Sequence, residues 1–440
     1  MSYEKKVMLR HSIASIVALA LFGLSRLIYS IVISRRFGVE VLGKVNSLLS
    51  QAFLLAIPLS FFAVALGKYA SEFLGKGEIE KIKSIATLGF SFPFIGLVLV
   101  SFNFYLALLA VLRALQLTFR SFIYGLHRGE IYAYAMLGAF VLFIGGFLSE
   151  NYYLPYIILL SGVVLFGFLY LLKEKLFGKP TSETFKILLR YSSFAFLGTI
   201  SGVFLVQAPY FLSERLASPK VAGVVSASLS AAFLLTYTPQ VFQSAIMPLY
   251  SYKYGKNEME YVKWLAEEST KLLSLLVALV VFLLLLVGRE ILSLLFGFSL
   301  GSEFYLALVA VETYIAYNPS IVALNSTRYV KEGTIIALLG AVVSLVAWLL
   351  LISPFEEYGT VSGLFLGYLS ILIGTSIVAN KKLGVSFTSY AQFVVAVLLQ
   401  FTVFLSKALL LLAFVVYVGI FRKEVKRVFK LFKPFRDREF

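Results

Sequence analysis

Apolar residues run along this chain in long blocks separated by short polar punctuation, from Ile13 to Ile420. The blocks are apolar on every face, as in LLSLLVALVVFLLLLV before Gly288. A barrel strand would instead alternate over about ten residues. About 20 such residues in succession form a helix that crosses a bilayer, because in lipid every backbone polar group must be bonded inside the protein. About 14 transmembrane helices are expected, centred near residues 22, 55, 93, 114, 140, 162, 200, 233, 277, 314, 343, 369, 396 and 414. Tyr390 to Ile420 is long for one upright span and short for two; with Ser406 and Lys407 as its only break, a short hairpin is expected there. The fold class is an all-α polytopic membrane protein.

Composition agrees with the pattern and narrows the chemistry. The chain is 60% hydrophobic and 14% charged, well above the ~45–50% apolar content of soluble domains. Cysteine is absent, which excludes disulfides, thiolate metal sites and Cys nucleophiles. His11 and His127 are the only histidines and Asp437 is the only aspartate. No catalytic residue, metal site or cofactor is expected. No G-x-x-x-x-G-K-[ST] loop is present, which removes ATP hydrolysis of the P-loop kind. The basic start MSYEKKVMLRH leads into a span-length apolar run, so an uncleaved first helix is expected.

Charge placement orients the helices. With the N-terminus in the cytoplasm, 28 Lys and Arg fall inside and seven outside, the bias that sets topology. An even number of spans then brings the basic tail back inside the cell membrane. The net charge of +16 follows from inner loops and a tail beside anionic lipid, with no role for nucleic acid.

The chain also repeats itself. Shifted by 180 residues, positions 6–86 match positions 186–266 without a gap at 23 of 81 sites, among them Gly43/Gly223, Ser50/Ser230, Phe53/Phe233 and Glu78/Glu258. Polar loop residues match in register too, GKGEIE against GKNEME. A weaker echo pairs AMLGA at 135–139 with ALLGA at 337–341. Duplication therefore predicts six-helix lobes at 1–180 and 181–384, a helix pair at 385–421 and a basic tail at 422–440. Two six-span repeats insert the same way up and relate by an axis along the membrane normal, with a site between them.

The runs SRRFGVEVLGKVNSLLS, FLGKGEIEKIKS, FIYGLHRGEIYAYAML and VAGVVSASLSAAFLL, with the later MPLYSYKYGKNEME, carry a resemblance along nearly the whole chain. It resembles the polysaccharide flippases of the multidrug/oligosaccharidyl-lipid/polysaccharide exporter superfamily. That resemblance implies two six-helix lobes forming a V around a central cavity and two further C-terminal helices. It also implies export of a polyprenyl-linked saccharide by alternating access. Family members often carry an acidic residue late in the seventh helix, where this chain reads VQAPYFL with Gln207. Ion coupling through that helix is thereby placed in doubt.

Ionisable residues inside spans are costly and usually face a cavity or a partner. Arg26, Arg113, Arg120, Lys271 and Glu312 qualify. Arg113, Gln116, Arg120 and His127 are spaced to share one helix face. Arginine presents planar paired donors that suit phosphate oxygens, so Arg26, Arg113, Gln116, Arg120, Gln207 and Asn318 are the candidate substrate contacts. Glu312 is the candidate coupling residue: it could pair an arginine of the other lobe as the empty cavity closes, bind Na+, or take up H+. Pro58, Pro93, Pro209, Pro239, Pro248 and Pro319 are candidate kinks. Lys271 lies near the inner interface, where snorkelling is expected.

Three classes of function remain at this point. The first is a monomeric transporter moving lipid-linked oligosaccharide across the membrane, with a cation-coupled multidrug exporter of the same superfamily as its variant. The second is a membrane glycosyltransferase or ligase, disfavoured because such enzymes need loop carboxylates for a metal or a base and the only aspartate, Asp437, lies in the tail. The third is a passive scaffold or scramblase.

Overall fold

The computed structural model describes residues 3–432. Among them sixteen α-helices follow one another: α1 (Tyr3–Phe37), α2 (Val39–Leu59), α3 (Ala63–Lys76), α4 (Ile79–Ser91), α5 (Phe104–Gly125), α6 (Gly129–Gly146), α7 (Leu154–Lys173), α8 (Ser182–Leu216), α9 (Pro219–Ala232), α10 (Tyr237–Gly255), α11 (Met259–Phe296), α12 (Glu303–Asn325), α13 (Val330–Leu383), α14 (Ala391–Gln400), α15 (Lys407–Ile420) and α16 (Arg422–Phe432). Lys433, Arg436, Asp437 and Arg438 of the expected tail lie outside the described residues, as do the side chains of Lys5, Lys6, Arg10 and His11.

Twelve of the described helical segments are long and apolar enough to cross a membrane. Every centre expected from hydropathy falls inside a helix. The 54-residue α13 is two helical runs joined at Glu356, which has φ 50 and ψ −120, so the centres at 343 and 369 lie on either side of a kink. Fourteen crossings are reached only by counting α13 twice and adding α15. At 14 residues, α15 falls short of the roughly 20 that an unaided span needs. The chain turns back at Ser406, whose side chain caps α15 by accepting from the Leu409 amide at 3.1 Å. Tyr417 OH then donates to the Gln392 carbonyl at 3.2 Å, which packs α15 back along α14.

Prolines break some helices and not others. Pro58 has no N–H to give, and α2 ends one residue later, with the Ser60 amide bonded to Ala56 O at 2.8 Å. At Pro93 the fourth helix passes into a 3₁₀ stretch, Phe92–Ser101. Pro209 and Pro319 sit inside unbroken α8 and α12. His127 leaves the face it was expected to share: α5 stops at Gly125, and His127 has φ 60 in the following turn, where Nε2 meets Ser71 Oγ at 3.0 Å.

The 180-residue register extends to backbone geometry. Gly77 and Asn257 both take positive φ, 71 and 58, and glycine and asparagine are the residues that tolerate it. The residues after them, Glu78 and Glu258, open α4 and α11 with φ and ψ of −84, 65 and −86, 62. Their amides bond back to Phe73 O at 2.9 Å and Lys253 O at 3.0 Å.

Packing divides the chain into two compact units. One comprises Met1–Ser230 with Leu345–Thr360, the other Ala231–Ser344 with Val361–Phe440. In the first, Trp348 is fully buried; its indole N–H donates to Thr360 O at 2.8 Å and its ring meets Phe204. In the second, α11 and α12 pack along each other, and α14 lies against both.

Candidate functional site

The arginines of the first unit gather around one aromatic ring. Phe53 of α2 is buried. The Arg26 guanidinium carbon lies 5.8 Å from its centroid and that of Arg113 lies 4.9 Å away. Arg26 of α1 also sits 4.6 Å over the Tyr210 ring of α8 and donates to Ser50 Oγ at 3.2 Å. Arg113 of α5 stands 4.3 Å over Phe22 and donates to Gln116 Oε1. Gln116 is held in turn, its amide nitrogen donating to Tyr132 OH at 2.7 Å. Four segments far apart in sequence thus place two cations in the surroundings of Phe53.

Guanidinium groups over π faces gain about 0.5–2 kcal/mol and keep their in-plane N–H donors for other partners. Arg26 and Arg120 have no carboxylate partner among the described residues. Arg120, two turns along α5 from Arg113, lies 5.9 Å from the Tyr124 ring, whose hydroxyl accepts from Ser15 at 3.1 Å. All three arginines are half-buried. Gln207 stands three residues before Tyr210 on α8, with its Oε1 buried and unpartnered. A planar guanidinium presents paired donors of the kind that suit oxyanions.

Glu312 and Asn318 belong to the second unit, on α12. Asn318 is buried, its amide 3.4 Å from Tyr314 OH and its Oδ1 unpartnered. Glu312 is 1% exposed, and neither carboxylate oxygen has a hydrogen-bond partner among the described residues. Its polar neighbour is the Gln400 amide of α14 rather than an arginine. Lys271 pairs with Glu268 on its own helix at 3.0 Å.

Sequence reading missed Ser50, Phe53, Tyr210, Tyr132 and Gln400 as members of these clusters. One signal was available: Ser50, Phe53 and their mates Ser230 and Phe233 are identities of the repeat. Ser230 does return to the site, its Oγ 3.1 Å from Ser30 Oγ.

The described helices form a polytopic bundle that holds arginines on aromatic rings within its candidate spans. At the level of sequence, no family model and no curated protein matches the chain. Solved structures do match over nearly its full length. The chain is similar to the lipid II flippase MurJ in an inward closed conformation, with TM-score 0.63, 14% identity, and coverage of 93% of this chain and 99% of that one. It is also similar to an outward-facing multidrug resistance MATE family transporter of the MOP superfamily, with TM-score 0.57, 14% identity and coverage of 87% and 97%. A mutant form of the Vibrio cholerae MATE transporter VcmN matches with TM-score 0.58 and 13% identity over 88% and 98%. The fold is the transporter fold that MurJ and the MATE proteins share.

Proposed function

We propose that the protein is a multi-pass transporter of the cell membrane that carries a polyprenyl-(pyro)phosphate-linked oligosaccharide from the cytoplasmic to the outer leaflet by alternating access, with both termini in the cytoplasm. The observation that carries this reading is the pair of guanidinium groups around Phe53. Two cations held by rings match a lipid pyrophosphate and repel an organic cation. The multidrug variant would need the acid, Glu312, to dominate the site, yet its near polar neighbour is an amide. Gln116, Arg120 and Gln207 are the further proposed substrate contacts of the first unit, and Asn318 is the one proposed for the second. Membrane lipids are its surroundings, H+ or Na+ its coupling ion, and the monomer its working form.

Equilibrium binding of a fluorescent polyprenyl-pyrophosphate saccharide to the purified protein tests this reading. Saturable binding, competed by inorganic pyrophosphate on the same lipid anchor and not by organic cations, is expected. Binding of organic cations with no affinity for the lipid-linked saccharide would favour the exporter variant and end the present one.

A further inference from the structure

Buried polar groups without partners are rare, and each calls for a physical explanation. In the second unit four such atoms belong to two neighbouring side chains on packed helices: Oε1 and Oε2 of Glu312, and Oε1 and Nε2 of Gln400. Both residues are essentially fully buried, at 1% and 0% exposure. The carboxylate comes from the middle of α12, and the amide from the last residue of α14, where the helix passes into the 3₁₀ turn Phe401–Phe404. The Tyr417 phenol of α15 lies in electrostatic reach of Glu312, and α10, which also packs on α12, carries Tyr250, Tyr252, Lys253 and Tyr254. Tyr417 already donates to Gln392 O. The charged side chains of α11 fall within 260–271 and at 289–290, where Glu268 pairs with Lys271 and Arg427, Glu267 accepts from the Ser386 amide, and Glu290 pairs with Arg289 and Lys407.

An ionised Glu312 and Gln400 present three acceptor oxygens and one donor group to each other, a mismatch that leaves at least one oxygen facing another. Adding one proton changes the count. The carboxylic acid O–H then donates to Gln400 Oε1, Gln400 Nε2 donates to the acid's carbonyl oxygen, and all four atoms are satisfied in one cyclic pair. A hard metal cation is served less well, because this pair offers three oxygens where Ca2+ draws on about six to eight.

We propose that Glu312 and Gln400 form a proton-binding site at the junction of α12 with the C-terminal helix pair. The reaction is a simple association: the carboxylate takes H+ from water when the junction is open and holds it as the amide-paired acid when closed. An unprotonated, isolated carboxylate in this apolar setting is costly, so closure of the junction and proton uptake favour each other, and release of the proton requires that α12 and α14 admit water. By linkage, whatever shifts one equilibrium shifts the other. The site thereby assigns the helix pair at 385–421 a role in coupling. The use of that proton in a transport cycle rests on the proposed function; the site itself does not.

Infrared difference spectroscopy of the full-length protein, between alkaline and mildly acidic buffer, reads the site directly. A protonated-carboxyl C=O band is expected in the wild type, absent in Glu312→Gln and moved to higher frequency in Gln400→Leu, where the acid loses its acceptor. The wild type is decisive alone: no titrating band overturns the proposal, whatever the variants' folding. A band that persists in Glu312→Gln, stays unmoved in Gln400→Leu, or is abolished by Na+ at constant pH overturns it too. Saccharide-lipid binding is measured on the same samples. Loss of that binding with the band intact sinks the substrate reading alone, and the reverse result sinks the proton site alone.

Discussion

Gly43 and Gly223, separated by the repeat offset of 180 residues, lie where α2 and α9 approach so closely that neither position has room for a Cβ. At Gly43 a Cβ would lie 1.9 Å from Pro219 O and 2.7 Å from Gly223 N; at Gly223 it would lie 2.0 Å from Val39 O. Val39 and Pro219 are themselves one offset apart, so each contact is the mirror of the other under exchange of the repeats. The obstacle on each side is the backbone of the facing helix rather than a side chain.

Gly43→Ala cannot be absorbed by a side-chain rotation, since the obstacle is backbone. The two helices must move apart, and overpacking of this kind costs about 1–3 kcal/mol. The packed arrangement should lose roughly ten- to a hundredfold in population. Gly75, inside α3 where a Cβ would meet nothing within 4 Å, supplies the control: Gly75→Ala should not destabilise and should gain up to about 1 kcal/mol. Thermal unfolding curves that show Gly43→Ala as stable as Gly75→Ala would contradict the close approach.

A second expectation concerns the hydroxyl contact beside that crossing. Ser30 Oγ and Ser230 Oγ are 3.1 Å apart, and the chain contains no cysteine. Ser30→Cys combined with Ser230→Cys should therefore cross-link on mild oxidation, reported by a mobility shift that a reductant reverses. The linked protein should be arrested in transport if α1 and α9 separate during the cycle. A double variant that never cross-links would show that these helices do not come together at this point.

The kink in α13 gives a prediction about stability rather than transport. Glu356 has φ 50 in an exposed stretch, a conformation that costs an L-residue roughly 1–2 kcal/mol and glycine almost nothing. Its side chain is not the reason for its place: the carbonyl accepts from Thr360 Oγ1 at 3.0 Å, and glycine keeps a carbonyl. Glu356→Gly should raise thermal stability by about 1 kcal/mol after its unfolded-state entropy is set against the relief. A lowered melting temperature would mean that the side chain matters.

The all-helical class and the apolar spans were legible because they are written in local periodicity; Gly77 with Asn257 and Glu78 with Glu258 show similar cap geometry at the same linear offset. Arg113 with Gln116 was also legible, since three residues on a helix are neighbours. The socket of Arg26 was not, because Ser50 and Tyr210 stand 24 and 184 positions away and only packing brings them in. Gln400 was hidden for the same reason, and further by its place in a run that hydropathy reads as uniformly apolar. His127 was misplaced because the face drawn through α5 assumed two further residues of helix. A positive φ after Gly125-Leu126 removed them.

Arg26 itself supports the sharpest test of the substrate reading. Its guanidinium stacks on Tyr210 and gives one donor to Ser50, which fixes the plane of the fork and leaves the other N–H groups in place for phosphate oxygens. Lysine keeps the charge but is a strongly hydrated point donor with no plane to stack. Arg26→Lys should therefore weaken binding of a polyprenyl-pyrophosphate saccharide about tenfold, the loss of roughly one charge-assisted hydrogen bond. Tyr210→Ala should approach the same loss by releasing the plane, whereas Tyr210→Phe, which keeps the ring, should stay within about threefold of wild type. Arg113→Ala should weaken binding by a further ten- to a hundredfold, because it removes a cation outright. Titration of each purified variant with the fluorescent lipid gives the comparison; Arg26→Lys and Tyr210→Ala both binding like wild type would show that the stacked guanidinium is not the anion's receptor.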